Sequence, residues 1–129
     1  GDLCMFDVDG DGVDELICIT PFHGNTLKVL KKGLDGWDTL AEEKLDFGHV
    51  VWSGLCGGVP VILACSRGGD RNTVLYRPAW NGGRLNMGSM NVDLNVGASN
   101  IAVQQRGKAL VVYACNHGQN ETARYTIEL

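Results

Sequence analysis

Three stretches of this chain resemble one another and follow at a nearly regular spacing. Val61 lies 45 residues after Leu16, and Val111 lies 50 residues after Val61. Each begins a short apolar run, with another apolar run before it across a turn and a third after it. Apolar runs of this length, bounded by turn residues, are typical of β-strands. A period of roughly 40–50 residues with four strands per repeat predicts a β-propeller.

The repeat divides the chain into three predicted units, at about residues 1–47, 48–97 and 98–129. The first two contain four strands each, and the third ends before a fourth strand. Residues 39–45 are good helix formers, but their place in the repeat favours an outer strand. We therefore predict an all-β fold with about three blades of four antiparallel strands. They form a single segment, the C-terminal part of a partial propeller.

An acidic turn lies between the first two predicted strands. Counting from Asp7, its acidic residues occupy positions one, three, five and nine, and glycines follow the second and third. Oxygen ligands at alternate positions with glycine in the sharp turn suit Ca²⁺, and a cation would relieve the repulsion between carboxylates this close together. The predicted metal ligands are the side chains of Asp7, Asp9, Asp11 and Glu15 and the backbone carbonyl of Val13.

Two alternatives to this calcium loop arise from the same residues. An EF-hand needs a Glu at position 12 and a helix on each side, but position 12 is Cys18 and the flanks are predicted strands. The other alternative is an Asp/Gly turn that binds nothing.

The motif D-V-D-G-D-G-V-D-E-L between two strands resembles the calcium hairpin of FG-GAP/VCBS-type β-propeller repeats. The resemblance implies that the hairpin joins the first and second strands of a blade. Four further stretches are distantly similar to the propeller part of aldos-2-ulose dehydratase-like bacterial proteins, and to seven-bladed fungal lectins. These stretches are P-F-H-G-N-T, F-G-H-V-V-W, A-C-S-R-G-G-D and N-H-G-Q-N-E-T-A-R-Y-T-I.

The resemblance also implies that five segments gather at the end of the blades opposite the calcium loop, near the channel mouth. They are residues 21–25, 47–49, 66–72, 97–100 and 116–121. These segments contain all three histidines, His23, His49 and His117, and also Arg67. Converging imidazoles would bind a transition metal, act as acid and base, or hold a polyol. These four residues are the catalytic candidates, and the alternative for each histidine is a turn residue bonded to backbone groups.

Charge, hydropathy and cysteine content limit the class of protein. The net charge is −4, with no basic run, which argues against a nucleic-acid partner. No apolar run approaches the roughly 18–20 residues of a membrane span. The five cysteines form no CxxC pair, which favours reduced thiols in the cytoplasm over an oxidised secreted protein. Cys18, Cys65 and Cys115 recur in the repeat and are predicted to fill the core.

Three blades would leave apolar sheet faces uncovered. The expected partners are the remaining blades of a longer parent chain, which could also supply the last outer strand, or a second copy of this chain. Three functions remain open, and with them the question of enzymatic activity. The first is a calcium-binding scaffold related to carbohydrate binding. The second is part of a metal-dependent sugar lyase or dehydratase with a histidine-lined channel mouth. The third is a lectin in which Trp37, Trp52 and Trp80, together with Asn and Asp side chains, hold sugars. The alternative for Trp37 and Trp80 is packing between blades.

Overall fold

The computed structural model describes residues 1–21 and 24–129, and its regular structure consists of eleven β-strands and one short 3₁₀ helix. None of the helical structure in this described part has the length and apolar character needed to cross a membrane. The strands are β1 (Leu3–Phe6), β2 (Glu15–Thr20), β3 (Thr26–Gly33), β4 (Gly36–Lys44), β5 (Gly48–Cys56), β6 (Val59–Ser66), β7 (Thr73–Asn81), β8 (Arg84–Asp93), β9 (Ala98–Arg106), β10 (Ala109–Asn116) and β11 (Glu121–Glu128). The 3₁₀ helix, His117–Gln119, lies between β10 and β11.

The strands form three antiparallel sheets, each built from strands that are consecutive in the sequence. Sheet 1 has the order β1-β2-β3-β4, sheet 2 the order β5-β6-β7-β8, and sheet 3 the order β9-β10-β11. The prediction of an all-β chain is thus confirmed, and residues 39–44 lie within strand β4 rather than in a helix. Across the described residues the three sheets form no closed barrel or propeller.

Glycine pairs allow the tight turns within sheet 2. Gly57 and Gly58 join β5 to β6 with φ values of 57° and 82°, and Gly82 and Gly83 join β7 to β8 with 60° and 90°. Two consecutive residues with positive φ match the twist of an antiparallel hairpin, and glycine adopts this conformation without steric cost.

The core lies on both faces of sheet 2. On the central strand β6, Ile62 belongs to an apolar cluster shared with sheet 1, and Leu63 belongs to a second cluster shared with sheet 3. Both side chains are fully buried. A strand that is covered on both faces has a continuous apolar sequence instead of an alternating one, which explains the run from Val61 to Cys65.

The sheets stack so that corresponding strands adjoin. Strand β5 of sheet 2 contacts β1 of sheet 1 and β9 of sheet 3, and β4 contacts β8. Within residues 1–21 and 24–129, no strand covers the outer faces of the stack. In sheet 1, Leu3 is 65% exposed and Met5 52% exposed, and in sheet 3 Tyr113 is 42% exposed.

The prediction that the three recurring cysteines fill the core is correct for two of them. Cys18 and Cys65 are buried, but Cys115 is exposed. Its neighbour Ala114 packs toward sheet 2, so the alternation of a strand turns Cys115 toward the outer face of sheet 3. The prediction of a buried Cys115 is therefore wrong, because nothing within the described residues covers the face of sheet 3 on which it lies.

We expect Cys115 to be the first cysteine to react with iodoacetamide at pH 8 in the folded protein. Burial, with smaller effects of Asp2 and Cys18, raises the pKa of Cys4 to about 12, and burial raises that of Cys65 to about 11. Because the thiolate is the reactive form, these two should react at least about tenfold more slowly. Peptide mapping after timed alkylation measures this order, and unfolding the protein in urea should abolish it.

A polar network joins sheet 2 to sheet 3. The Tyr125 hydroxyl donates a 2.6 Å hydrogen bond to Asp93 Oδ2 and accepts one of 2.8 Å from Asn116 Nδ2. Asn116 is fully buried and also donates to Glu121 Oε1. Burial, followed by the hydrogen bond to Asp93, raises the pKa of Tyr125 to about 12.

Substitution Tyr125→Phe should lower the free energy of unfolding by about 1–2 kcal/mol, because a hydrogen bond to a carboxylate is lost and Asn116 loses a partner. The folded pKa of Tyr125 lies above the unfolded value of about 10. The contribution is therefore fully present below about pH 10 and is lost as the pH rises through about 12. Urea unfolding at pH 7 measures the loss, and Tyr113→Phe on the exposed face is the control. Equal effects of the two substitutions would contradict the role of the network.

Candidate metal centre

The acidic turn connects β1 to β2, whose last pairing before the turn joins Phe6 to Glu15. Val8, between two acidic residues, is 3% exposed and packs into the core shared by sheets 1 and 2. This anchor fixes the loop against the sheet. The acidic side chains on either side of Val8 can then group at the loop's centre.

Asp7 organises the backbone of the loop. Its Oδ1 accepts hydrogen bonds from the backbone N–H groups of Gly10 (2.8 Å) and Asp11 (3.2 Å), and its Oδ2 accepts one from Gly12 (2.8 Å). These bonds, the one from Gly12 foremost, lower the pKa of Asp7. Gly10 and Gly12 have φ values of 79° and 88°, which favour glycine at both positions.

The structure brings together the four acidic side chains that the sequence predicted as metal ligands. One carboxylate oxygen from each of Asp7, Asp9, Asp11 and Glu15 lies within 4.8 Å of the others. Within residues 1–21 and 24–129 this is the one group of His, Cys, Asp or Glu side chains with such convergence. Four negative charges at this separation repel one another strongly unless a cation lies between them.

Glu15 is the buried member of the group. Its residue is fully buried, and its Oε1 accepts a 3.1 Å hydrogen bond from the backbone N–H of Asp9. Its Oε2 is buried without a hydrogen-bond partner among the described residues. Burial, with a further contribution from the charge of Asp9, raises the pKa of Glu15 to about 7. A buried carboxylate oxygen that lacks a partner is expensive, and a bound cation would supply one.

Lys31 on β3 contacts the open side of the group. Its Nζ lies 2.6 Å from Asp9 Oδ2 and also forms an ion pair with Asp11 Oδ2. The hydrogen bonds with Asp11 and Asp9 raise the pKa of Lys31, and the bond from Lys31 is the main cause of the lowered pKa of Asp11. One ammonium group leaves most of the negative charge of four carboxylates uncompensated.

Lys31 was not among the residues singled out from the sequence. The pairing of β2 with β3 explains its position. Leu30 pairs with Leu16, so the next residue, Lys31, lies opposite Glu15. The acidic motif alone does not reveal this contact, because it depends on how β2 pairs with β3.

Val13 and Asp14 also lie in this turn. Val13 is 53% exposed, and its N–H donates a 2.9 Å hydrogen bond to Asp11 Oδ1. The role of its carbonyl as a fifth ligand remains a prediction. Asp14 is exposed and lies outside the acidic group.

Backbone hydrogen bonds connect the described parts of the five segments at the opposite end of β2. In sheets 1 and 2, Gly48 N–H donates to Gly24 O (2.9 Å) and Arg67 N–H donates to Phe47 O (3.0 Å). Toward sheet 3, Gly97 N–H donates to Arg71 O, and Gly118 N–H donates to the carbonyl of Val96, the residue just before the fourth segment, both at 2.9 Å. The segments therefore adjoin one another in this end surface.

The histidines are not gathered into one described cluster. His49 lies near the start of β5, and His117 begins the 3₁₀ helix after β10. Arg67 follows β6 directly. His23 lies outside the described residues. Neither His49 nor His117 belongs to the group of converging metal-ligating atoms found among the described residues, so a histidine-bound metal and a catalytic role for these residues stay predictions.

No protein-family model matches the sequence, and no curated protein matches it.

Proposed function

We propose that the β1–β2 hairpin binds one Ca²⁺ ion through Asp7, Asp9, Asp11 and Glu15, with the Val13 carbonyl as a further ligand. The observation that carries this proposal is Glu15 Oε2, a buried oxygen in a group of converging carboxylates for which the described residues provide no hydrogen-bond partner. An exposed acidic turn without an ion would have no reason to bury a carboxylate in this way.

The chemistry of the ligands favours Ca²⁺ over transition metals. All proposed ligand atoms are oxygens, and hard oxygen ligands in a flexible loop are the usual surroundings of Ca²⁺. Zinc and copper prefer imidazole and thiolate, which this group lacks. Mg²⁺ is smaller and demands nearly ideal octahedral geometry, so we expect it to bind more weakly than Ca²⁺.

We further propose that the ion has a structural role in a β-propeller segment that acts as a ligand-binding or interaction scaffold. The antiparallel sheets stack with their first strands adjoining, and the sequence repeats with the same period. Both observations support the description of each sheet as a propeller blade. The exposed apolar residues on the outer face of sheet 1 support packing against further blades or a second copy. Ligands would bind at the end surface formed by the connected loops, because a propeller places its variable loops there.

Isothermal titration calorimetry on the chelator-treated protein tests the calcium proposal. We expect one Ca²⁺ per chain with a dissociation constant of roughly 10⁻⁶–10⁻³ M, and weaker binding of Mg²⁺. Absence of heat with Ca²⁺ at millimolar concentrations, or preferential binding of Zn²⁺, would show that the acidic group is not a calcium site.

Substitution Lys31→Met should strengthen Ca²⁺ binding by about tenfold, because the ammonium group competes with the ion for Asp9 and Asp11. The matched control is Lys32→Met, which removes the same charge one residue further along. Lys32 Nζ lies 5.6 Å from the centre of the Trp37 ring instead of contacting the acidic group. Titration calorimetry of both variants measures the difference. Similar affinities for the two variants would mean that Lys31 does not compete with the ion.

A carbohydrate is the second candidate ligand, and the exposed tryptophans favour it. Trp37 is 46% exposed and Trp80 51% exposed, whereas Trp52 packs against the core shared by sheets 2 and 3. Exposed aromatic rings can stack on the apolar face of a sugar. A glycan array with the wild-type protein and with Trp37→Ala and Trp80→Ala variants tests this candidate. If both variants bind the sugar as well as the wild type does, these two rings are not part of the sugar site.

A further inference from the structure

A polar cleft lies between sheets 1 and 2. It has a volume of about 320 Å³ and is lined by residues 43–46, by Asp70 in the loop between β6 and β7, and by residues of β7 and β8. Lys44 pairs with Thr26 at the start of β3, whereas the calcium hairpin contacts Lys31 toward the end of that strand. The cleft is therefore separate from the proposed metal centre. Both of its walls belong to four-stranded sheets.

Tyr76 on β7 reaches this cleft from the core. The residue is 5% exposed and belongs to the apolar cluster shared by sheets 1 and 2, and it also lines the cleft. No hydrogen bond joins its hydroxyl to another residue within the ranges 1–21 and 24–129. Burial, with smaller effects of the charges of Glu43 and Asp70, raises the pKa of Tyr76 to about 12. A buried tyrosine hydroxyl usually has a hydrogen-bond partner, and a molecule bound in the cleft would supply one.

Three carboxylates, those of Glu43, Asp46 and Asp70, give the cleft a negative charge. Lys44 is the one positively charged residue among its described lining, so the net charge is −2. Lys44 Nζ lies 3.6 Å from Asp46 Oδ2, but the lysine side chain is 81% exposed, and an exposed pair of this kind contributes little. Glu43 is half-buried and forms no ion pair with the described residues. The cleft therefore holds negative charge that its own residues leave uncompensated.

The arrangement of these groups indicates the class of ligand. Their oxygen atoms do not converge on one point, since the acidic hairpin is the one such group among the described residues, and this argues against a single metal ion. An anion would be repelled, and a neutral molecule would leave the charge of Glu43 unpaired. A primary ammonium group donates three hydrogen bonds and binds carboxylates strongly. Two such groups would match the net charge of the cleft, and the apolar side chains of Leu45 and Val74 in its lining suit the methylene groups between them.

We propose that this cleft between sheets 1 and 2 binds a short aliphatic diamine. Its ammonium groups pair with the carboxylates of Glu43 and Asp70, and one of them also donates a hydrogen bond to the Tyr76 hydroxyl oxygen. Its methylene chain lies against Leu45 and Val74. The inference rests on the ligand-binding scaffold proposed above and deepens it by naming a class of ligand. It makes no use of the calcium ion.

Putrescine, a short aliphatic diamine, is the probe. Titration calorimetry on the chain in the presence of excess Ca²⁺, which keeps the acidic hairpin occupied, should show saturable binding of one putrescine per chain. The diol with the same carbon chain keeps the methylene groups but lacks the charges. It should bind at least about tenfold more weakly, because charge-assisted hydrogen bonds to the carboxylates are lost.

Variants of the protein locate the site. Glu43→Gln removes one charge at nearly constant size and should weaken putrescine binding by about tenfold or more. Tyr76→Phe keeps the ring in the core and should weaken binding by about threefold to tenfold, because one hydrogen bond is lost. The matched control is Glu42→Gln. It removes the same charge from the next residue, which lies on the other face of β4 and pairs with Lys28 at 3.3 Å, and it should bind putrescine like the wild type.

Four results would overturn the proposal. These are no saturable binding of putrescine, equally tight binding of the diol, equal binding by Glu43→Gln and Glu42→Gln, and loss of binding in the Asp9→Ala, Asp11→Ala double variant. The last result would place the diamine at the acidic hairpin. Glycan binding without putrescine binding would leave the scaffold function standing and refute this inference alone. Glu43→Gln should bind Ca²⁺ like the wild type, so the outcome is also separate from that of the calcium proposal.

Discussion

Substitution of Asp9 and Asp11 together by alanine should abolish the stabilisation of this protein by Ca²⁺. An ion that binds only the folded chain adds about 2.7 kcal/mol at a free concentration 100 times its dissociation constant. For a chain of 129 residues, this corresponds to a rise in Tm of roughly 10 °C. The double variant loses two of the four converging carboxylates and should show the same Tm with Ca²⁺ and with chelator.

Differential scanning calorimetry at fixed protein concentration measures this effect. The matched control is Asp14→Ala with Asp35→Ala, which removes the same charge from two residues outside the acidic group. The control should keep the full dependence on Ca²⁺. If the control loses it as well, the effect comes from net charge and not from the proposed ligands. A wild-type Tm that does not respond to Ca²⁺ would contradict the site itself.

Substitution Leu63→Ala should destabilise the whole stack of sheets by about 2–5 kcal/mol, because it leaves a cavity in a well-packed core. Leu63 is fully buried and shares a cluster with Leu110 and Val112 of sheet 3. If sheets 2 and 3 unfold as one unit, the amides of β10 should lose protection against hydrogen exchange together with those of β6.

Urea unfolding and hydrogen exchange measure these two effects. Leu55→Ala on β5 is the control, since Leu55 is 39% exposed, and it should change the free energy of unfolding by only about 0.5 kcal/mol. A loss below about 1 kcal/mol for Leu63→Ala would mean that the contact between sheets 2 and 3 contributes little to the stability of the fold.

The strands could be predicted from the sequence because each carries its own signal. Short apolar runs, glycine turns and the spacing of Leu16, Val61 and Val111 give strands in the order that the sheets use. The segment 39–45 contains good helix formers, yet residues 39–44 belong to β4 because they pair with β3 along its length. Tertiary pairing overrides local propensity there.

The acidic group was also predictable, because its ligands lie within nine consecutive residues and one turn brings them together. The burial of Glu15 and the contact with Lys31 were not, since both depend on how β2 pairs with β3 and packs on the core. The exposure of Cys115 was missed for a similar reason. Periodicity shows which residues share a face of a sheet but not whether another sheet covers that face.

Native mass spectrometry of the wild-type chain, with and without prior chelation, is the most direct test of the central claim. The account predicts one bound Ca²⁺ per chain, lost with chelator and regained when Ca²⁺ is added back, and no such ion on the Asp9→Ala, Asp11→Ala double variant. A wild-type chain that takes up no Ca²⁺, or a double variant that binds it equally well, would contradict the proposed calcium site.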